Sequence, residues 1–194
     1  NGNLNQGTTF DAPFYPTNTN QYDASVKSSA AYLSIELSLF KKLKSILGLR
    51  FENYVQFYTG QNQLKTKVLD NEKVLDNADF FPSLNFIYNL SEKQNLRFSW
   101  SKTIARPSMK ELSFAEIYDP ISGVTFIGSL HPEEDLENNL VYWSGNLTST
   151  NINNFDLRWE LFQAGGNMIS LSGFYKEFER PIEIIQYATT QKPS

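Results

Sequence analysis

The 194-residue sequence has no cysteine, one histidine, no run of about 18 apolar residues and no excess of basic side chains. Without cysteine there is no disulfide, no thiolate metal site and no cysteine nucleophile. The lone histidine, His131, rules out a His-rich metal cluster, and no Gly-x-Ser-x-Gly turn accompanies it to suggest a hydrolase triad. A Gly-rich phosphate loop is also missing. With no long apolar run there is no transmembrane helix, and 17 Lys and Arg against 21 Asp and Glu, a net charge of -4, leave no basic field for nucleic acid. A paired-carboxylate glycosidase needs only two acids that meet in space, but nothing in the sequence points to such a pair. The expectation is therefore a protein that is not an enzyme, carries no cofactor and binds no nucleic acid. No signal peptide stands at Asn1, and the polar, loop-like ends are those expected of an excised fragment.

Aromatic residues are abundant: 15 Phe, 10 Tyr and 3 Trp make up 14% of a chain whose mean hydropathy is -0.41. That combination suits strands with one apolar face and one wet face. The hairpin at 79–106 shows it best. Its first arm alternates Phe80, Pro82, Leu84, Phe86, Tyr88 and Leu90 with Ser83, Asn85 and Asn89. After the polar turn Ser91-Glu92-Lys93-Gln94, the second arm sets Leu96, Phe98 and Trp100 against Arg97, Ser99 and Ser101. A two-residue period on both sides of a short turn predicts an antiparallel hairpin.

Two further hairpins carry the same period. From about residue 28, Ala31, Leu33, Ile35, Leu37 and Leu39 share a face, and after a turn near Lys41 so do Leu47, Leu49, Phe51, Val55 and Phe57. The opposite face of that second arm carries Arg50, Glu52 and Gln56. In the hairpin at 152–180, Phe155, Leu157, Trp159 and Leu161 oppose Asp156, Arg158 and Glu160, and Ala164-Gly165-Gly166 makes the turn. Its second arm puts Ile169, Leu171, Gly173 and Tyr175 on one side, and the IEII run after Pro181 is expected to extend or resume that strand. The chain thus reads as all-β, an antiparallel meander of about six strands. The connections are long at 1–27, 58–78 and 107–151, and the last is expected to hold a short helix at 109–114 or a local hairpin near Gly123.

Short turns at one end of a meander and long loops at the other are the asymmetry of an outer-membrane barrel, and the strands are long enough to cross a bilayer. The alternative is a soluble, secreted β-sandwich that binds glycans through aromatic loops. Its apolar faces would close on each other, and its strands would be shorter.

Three segments carry a resemblance: LGLRFE at 47–52, FFPSLNFIYNLSEKQNLRFSWSKTIARPSMKELS at 80–113 and INNFDLRWELF at 152–162. Together they resemble the C-terminal barrel part of TonB-dependent outer-membrane receptors, most closely the versions found in Bacteroidetes. The resemblance implies a fragment of a larger, 22-stranded transmembrane β-barrel in the bacterial outer membrane, whose lumen holds a plug domain that is absent from this sequence. It also implies import of a siderophore, cobalamin, glycan or peptide. The implied partners are outer-membrane lipid, the TonB complex acting through the parent's plug, and a surface lipoprotein.

In such a barrel Glu36, Arg50, Glu52, Arg97, Asp156, Arg158 and Glu160 face the lumen, where a structural pairing role is the preferred reading. Ligand contacts are expected from the outer loops, at Arg106, His131, Tyr142 and Trp143. Tyr142 and Trp143 suit stacking on a sugar or aromatic chelate, and equally suit packing the loop against itself. The cluster His131, Glu133, Glu134, Asp135 and Glu137 lacks the spacing and glycine of a calcium loop, so it reads as a solvated acidic loop and not as a metal site.

Overall fold

The computed structural model describes residues 20–131, 133–135, 140–143 and 147–184, without the side chains of 133–135 and 140–143. Ten strands follow in order: β1 (Asp23–Leu39), β2 (Leu43–Gln61), β3 (Val68–Ser91), β4 (Gln94–Ala105), β5 (Glu116–Asp119), β6 (Val124–Ile127), β7 (Glu133–Asp135), β8 (Leu140–Trp143), β9 (Thr150–Phe162) and β10 (Met168–Glu179). Six of them form one sheet in the order β1-β2-β3-β4-β9-β10, while β5–β6 and β7–β8 are separate two-stranded ribbons. The sheet is a meander that the excursion carrying β5 to β8 interrupts once.

Turn chemistry places the strand ends. Phe40 takes a φ of 63° between β1 and β2, and Gly165 and Gly166 take 81° and 82° between β9 and β10, a region that costs glycine nothing. The Gln163 amide donates to the Asn167 carbonyl at 2.8 Å and closes that last turn.

Several strand limits differ from the sequence pattern. The first strand begins at Asp23, not near 28, and most of the segment 58–78 is strand, because β2 continues to Gln61 and β3 starts at Val68. Within it Asn71 has a φ of 52°, and its amide donates to the Thr59 hydroxyl at 2.8 Å. The segment 107–151 contains two ribbons, and the β5–β6 hairpin turns at Gly123. No helix forms at 109–114. A single turn stands in its place, closed by the Leu112 amide on the Ser108 carbonyl at 3.0 Å and by a reciprocal Ser108–Glu111 capping box. After β10, Arg180 adopts a φ of 56°, and residues 181–184 leave the sheet, so the strand does not extend through Ile182 and Ile184.

The chain divides into two compact units, one of residues 20–25, 56–74 and 108–143, the other of 26–55, 75–107 and 147–184. In the second unit the usual distribution is inverted. Glu52 and Glu160 are buried, at 8% and 4% exposure, whereas Leu49, Leu157 and Leu171 stand 45%, 52% and 73% exposed. A sandwich would cover those leucines with a second sheet, and none of the described residues does so.

The first unit has a conventional core. Tyr58, Leu112, Phe114 and Ala115 are buried, with Tyr22 stacked on Tyr58 at 5.4 Å and Phe114 edge-on to Tyr58 at 5.9 Å.

Candidate functional site

The polar face of the second unit is organised by two carboxylates, each held between two arginines. Glu52 accepts from Arg50 Nη2 at 2.6 Å and Nε at 3.1 Å, and forms an ion pair with Arg106 Nη1 at 2.8 Å. Glu160 accepts from Arg97 Nε at 2.8 Å and pairs with Arg158 Nε at 3.1 Å. Register explains the second cluster: Arg97 and Arg158 are direct cross-strand partners, and Glu160 opposes Asn95 one position along the same face. Of the remaining lumen candidates, Glu36 pairs with Lys44 at 2.8 Å, and Asp156 faces Ser99.

Arg106, just beyond the end of β4, reaches Glu52 on β2 through Nη1 alone, and its Nε and Nη2 have no hydrogen-bond partner among the described residues. Its guanidinium also lies 4.2 Å from the Tyr54 ring centre, and Nη2 sits 3.7 Å from Asp79 Oδ2, a charge contact longer than a hydrogen bond.

His131 belongs to the first unit. Its Nε2 lies 3.0 Å from the Phe114 carbonyl oxygen and 3.4 Å from Glu116 Oε1, while its ring meets Phe114 edge-on at 5.3 Å. Two acceptors facing one nitrogen require Nε2–H as the donor. The same loop core is pinned from the other side, where the Phe114 amide donates to Tyr58 Oη at 3.1 Å and Lys67 lies over the Phe114 ring at 5.7 Å. Gly128 completes it. A Cβ at that position would collide with the Ser113 carbonyl, and only glycine lets the Gly128 amide reach the Ala115 carbonyl at 2.9 Å.

Tyr142 and Trp143 lie on β8, with their side chains outside the described residues, as are those of Glu133, Glu134 and Asp135; Glu137 lies wholly outside. Sequence reasoning missed Tyr58, Phe114 and Gly128. The Ser108-x-x-Glu111 spacing of the capping box was the available signal that this connection was ordered.

The apolar face is ordered in rows by the register. Tyr88, Leu96, Trp159 and Leu171 make one row, Phe86, Phe98, Leu157 and Gly173 the next, and Leu84, Trp100, Phe155 and Tyr175 a third. Lys102, Asn153 and Glu177 follow and end the apolar band. An apolar outer band edged by aromatic and then polar residues, behind a charged inner face, is the pattern of a sheet between lipid and a polar lumen.

A family model described as TonB dependent receptor-like, beta-barrel, matches residues 1–192. The chain belongs to the TonB-dependent receptor β-barrel family. This membership assigns it to the bacterial outer membrane and makes its six-stranded sheet part of a larger barrel. Among solved structures, the outer membrane receptor FauA for alcaligin, from Bordetella pertussis, is similar in fold, with a TM-score of 0.51 at 14% identity over 85% of this chain. The chain spans 23% of that receptor's length. A search of curated proteins finds no match.

Proposed function

We propose that this chain forms part of the barrel wall of a receptor that imports a ligand across the outer membrane, driven by TonB through the parent's plug domain. The observation that carries the reading is the inverted sheet, with Glu52 and Glu160 buried among arginines on one face and Leu157 and Leu171 exposed on the other. Such a surface is costly in water and stable in lipid.

Within this proposal the connections 62–67 and 106–149 face outward, and Tyr142 and Trp143 contact the ligand. Arg106 and His131 are the other two ligand-contact candidates, Arg106 held by Glu52 and His131 by the Phe114 carbonyl and Glu116. The ligand is a siderophore, cobalamin, glycan or peptide. Alcaligin, named for the FauA match, illustrates the first class. Segments 47–52, 80–113 and 152–162 support the Bacteroidetes-like version, with a surface lipoprotein as partner.

Deleting the parent gene and measuring uptake of one labelled member of each ligand class tests the proposal. The expected result is energy-dependent uptake of one class that disappears in the deletion strain and in a TonB-deficient strain. Unchanged uptake of all four classes in the deletion strain would overturn it.

A further inference from the structure

Three segments of the first unit meet, and they meet twice. The buried contact is aromatic: Tyr22, just before β1, stacks on Tyr58 of β2, whose Oη accepts from the Phe114 amide in the β4–β9 connection. The second contact is exposed and rests on one side chain. Asn20 Nδ2 donates to the Glu116 carbonyl at 2.9 Å, while its Oδ1 accepts from the Glu116 amide at 3.0 Å and from Gln63 Nε2 at 2.8 Å. Asn20 and Tyr22 are two residues apart, as are Phe114 and Glu116, so the segment before β1 joins the β4–β9 connection in both places. The third member is Tyr58 in one contact and Gln63, just past the end of β2, in the other.

Glu116 is the first residue of β5 and lies in register with Ile127 of β6. A side chain that bonds both its N–H and its carbonyl covers the edge of the ribbon at its root, where an uncovered strand edge leaves such groups unpaired. The carboxamide of Asn20 carries a donor and an acceptor on one carbon and matches both groups, whereas the carboxylate of an Asp of the same size would set a charge against the Glu116 carbonyl. The Tyr58 contact holds the base of the connection, and the Asn20 contact holds the direction in which the ribbon leaves it. Along that ribbon Tyr118, Ile121 and Phe126 are exposed.

We propose that Asn20 is a positioning residue of the outer face, which holds the β5–β6 ribbon in one orientation relative to the 62–67 connection before any ligand arrives. The inference rests on the reading that these connections face outward. A surface assembled in advance removes the ordering cost that separate loops incur on binding.

Pulsed electron spin resonance on the full-length receptor in lipid tests the junction, with spin labels at Leu64→Cys and Ile121→Cys and any cysteine elsewhere in the receptor replaced. Both labelled positions are exposed, at 81% and 96%, and this sequence has no cysteine of its own. The unliganded receptor is expected to give one narrow distance. Asn20→Ala and Gln63→Ala should each raise the fraction outside that peak about fivefold, the equivalent of one hydrogen bond, and Asn20→Asp should act in the same direction. The double variant Asn20→Ala with Gln63→Ala should do no more than the larger single change, because both residues lie on one path from the 62–67 connection to Glu116. A broad distribution in the unliganded receptor, no change in Asn20→Ala, or effects that add in the double variant overturns the proposal. A membrane-impermeant maleimide applied to intact cells carrying Ile121→Cys tests the reading beneath it. Labelling together with a distance that Asn20→Ala leaves unchanged removes the junction alone, whereas no labelling removes the outward-facing reading and the proposal with it.

Discussion

Arg97 and Arg158 face each other across the β4–β9 ladder, a like-charge pair held together by Glu160 at 2.8 Å and 3.1 Å. Directly opposed like charges destabilise a sheet, so the two arginines depend on the carboxylate between them. Glu160→Gln is expected to lower barrel stability by about 1–2 kcal/mol, discounted because both arginines are close to half exposed. Adding Arg158→Gln should restore part of the loss. Denaturant unfolding of the parent receptor in lipid checks both variants. Stability that does not fall in Glu160→Gln would remove the clamp role.

The apolar rows make a depth-dependent prediction. Leu49→Arg and Leu157→Arg are each expected to cost about 2–4 kcal/mol if near the bilayer midplane. Asn153→Arg, in the polar row, should cost about 0–1 kcal/mol. Unfolding in bilayers would show the contrast, and equal costs at Leu157 and Asn153 would contradict the band.

The loop core makes a separate one. Gly128→Ala is expected to destabilise the first unit by about 1–3 kcal/mol, because the new methyl group meets the Ser113 carbonyl. Limited proteolysis of the intact receptor should then cut faster within 108–131, with the sheet segments unaffected.

A pH effect is expected at the β5–β6 turn. The Ser122 hydroxyl, at 2.6 Å, and then the Ile121 amide, at 3.0 Å, bond the Asp119 carboxylate and hold it below its ordinary pKa. A depressed carboxylate stabilises the turn above the unfolded pKa, and that contribution is lost as pH falls through the folded value. Protease nicking at Ile121, which is 96% exposed, should therefore rise under acid conditions below the usual carboxylate range. Asp119→Asn should remove most of that pH dependence.

Much of the sheet was legible in the sequence because a strand's two-residue period is a local property. Leu96, Phe98 and Trp100 could be assigned to one face and Arg97 to the other before any partner strand was known. The period failed over 68–78, where the apolar residues come in adjacent pairs, Val68-Leu69 and Val74-Leu75, so the start of β3 at Val68 was not read. It was silent on Tyr58 and Phe114, whose hydrogen bond joins segments far apart in sequence. It could not show that Arg106, expected among the ligand contacts, pairs with Glu52 and lies over Tyr54, both on another strand.

The sequence by itself determined that these strands are amphipathic, which residues share a face, and that no helix spans a membrane. It could do so because backbone geometry repeats every two residues, whatever lies next to the strand. Only the tertiary structure decided which face is buried and which arginine answers which carboxylate. Those outcomes depend on register between strands, and a shift of one residue would exchange the lipid face for the lumen face while leaving the sequence pattern unchanged.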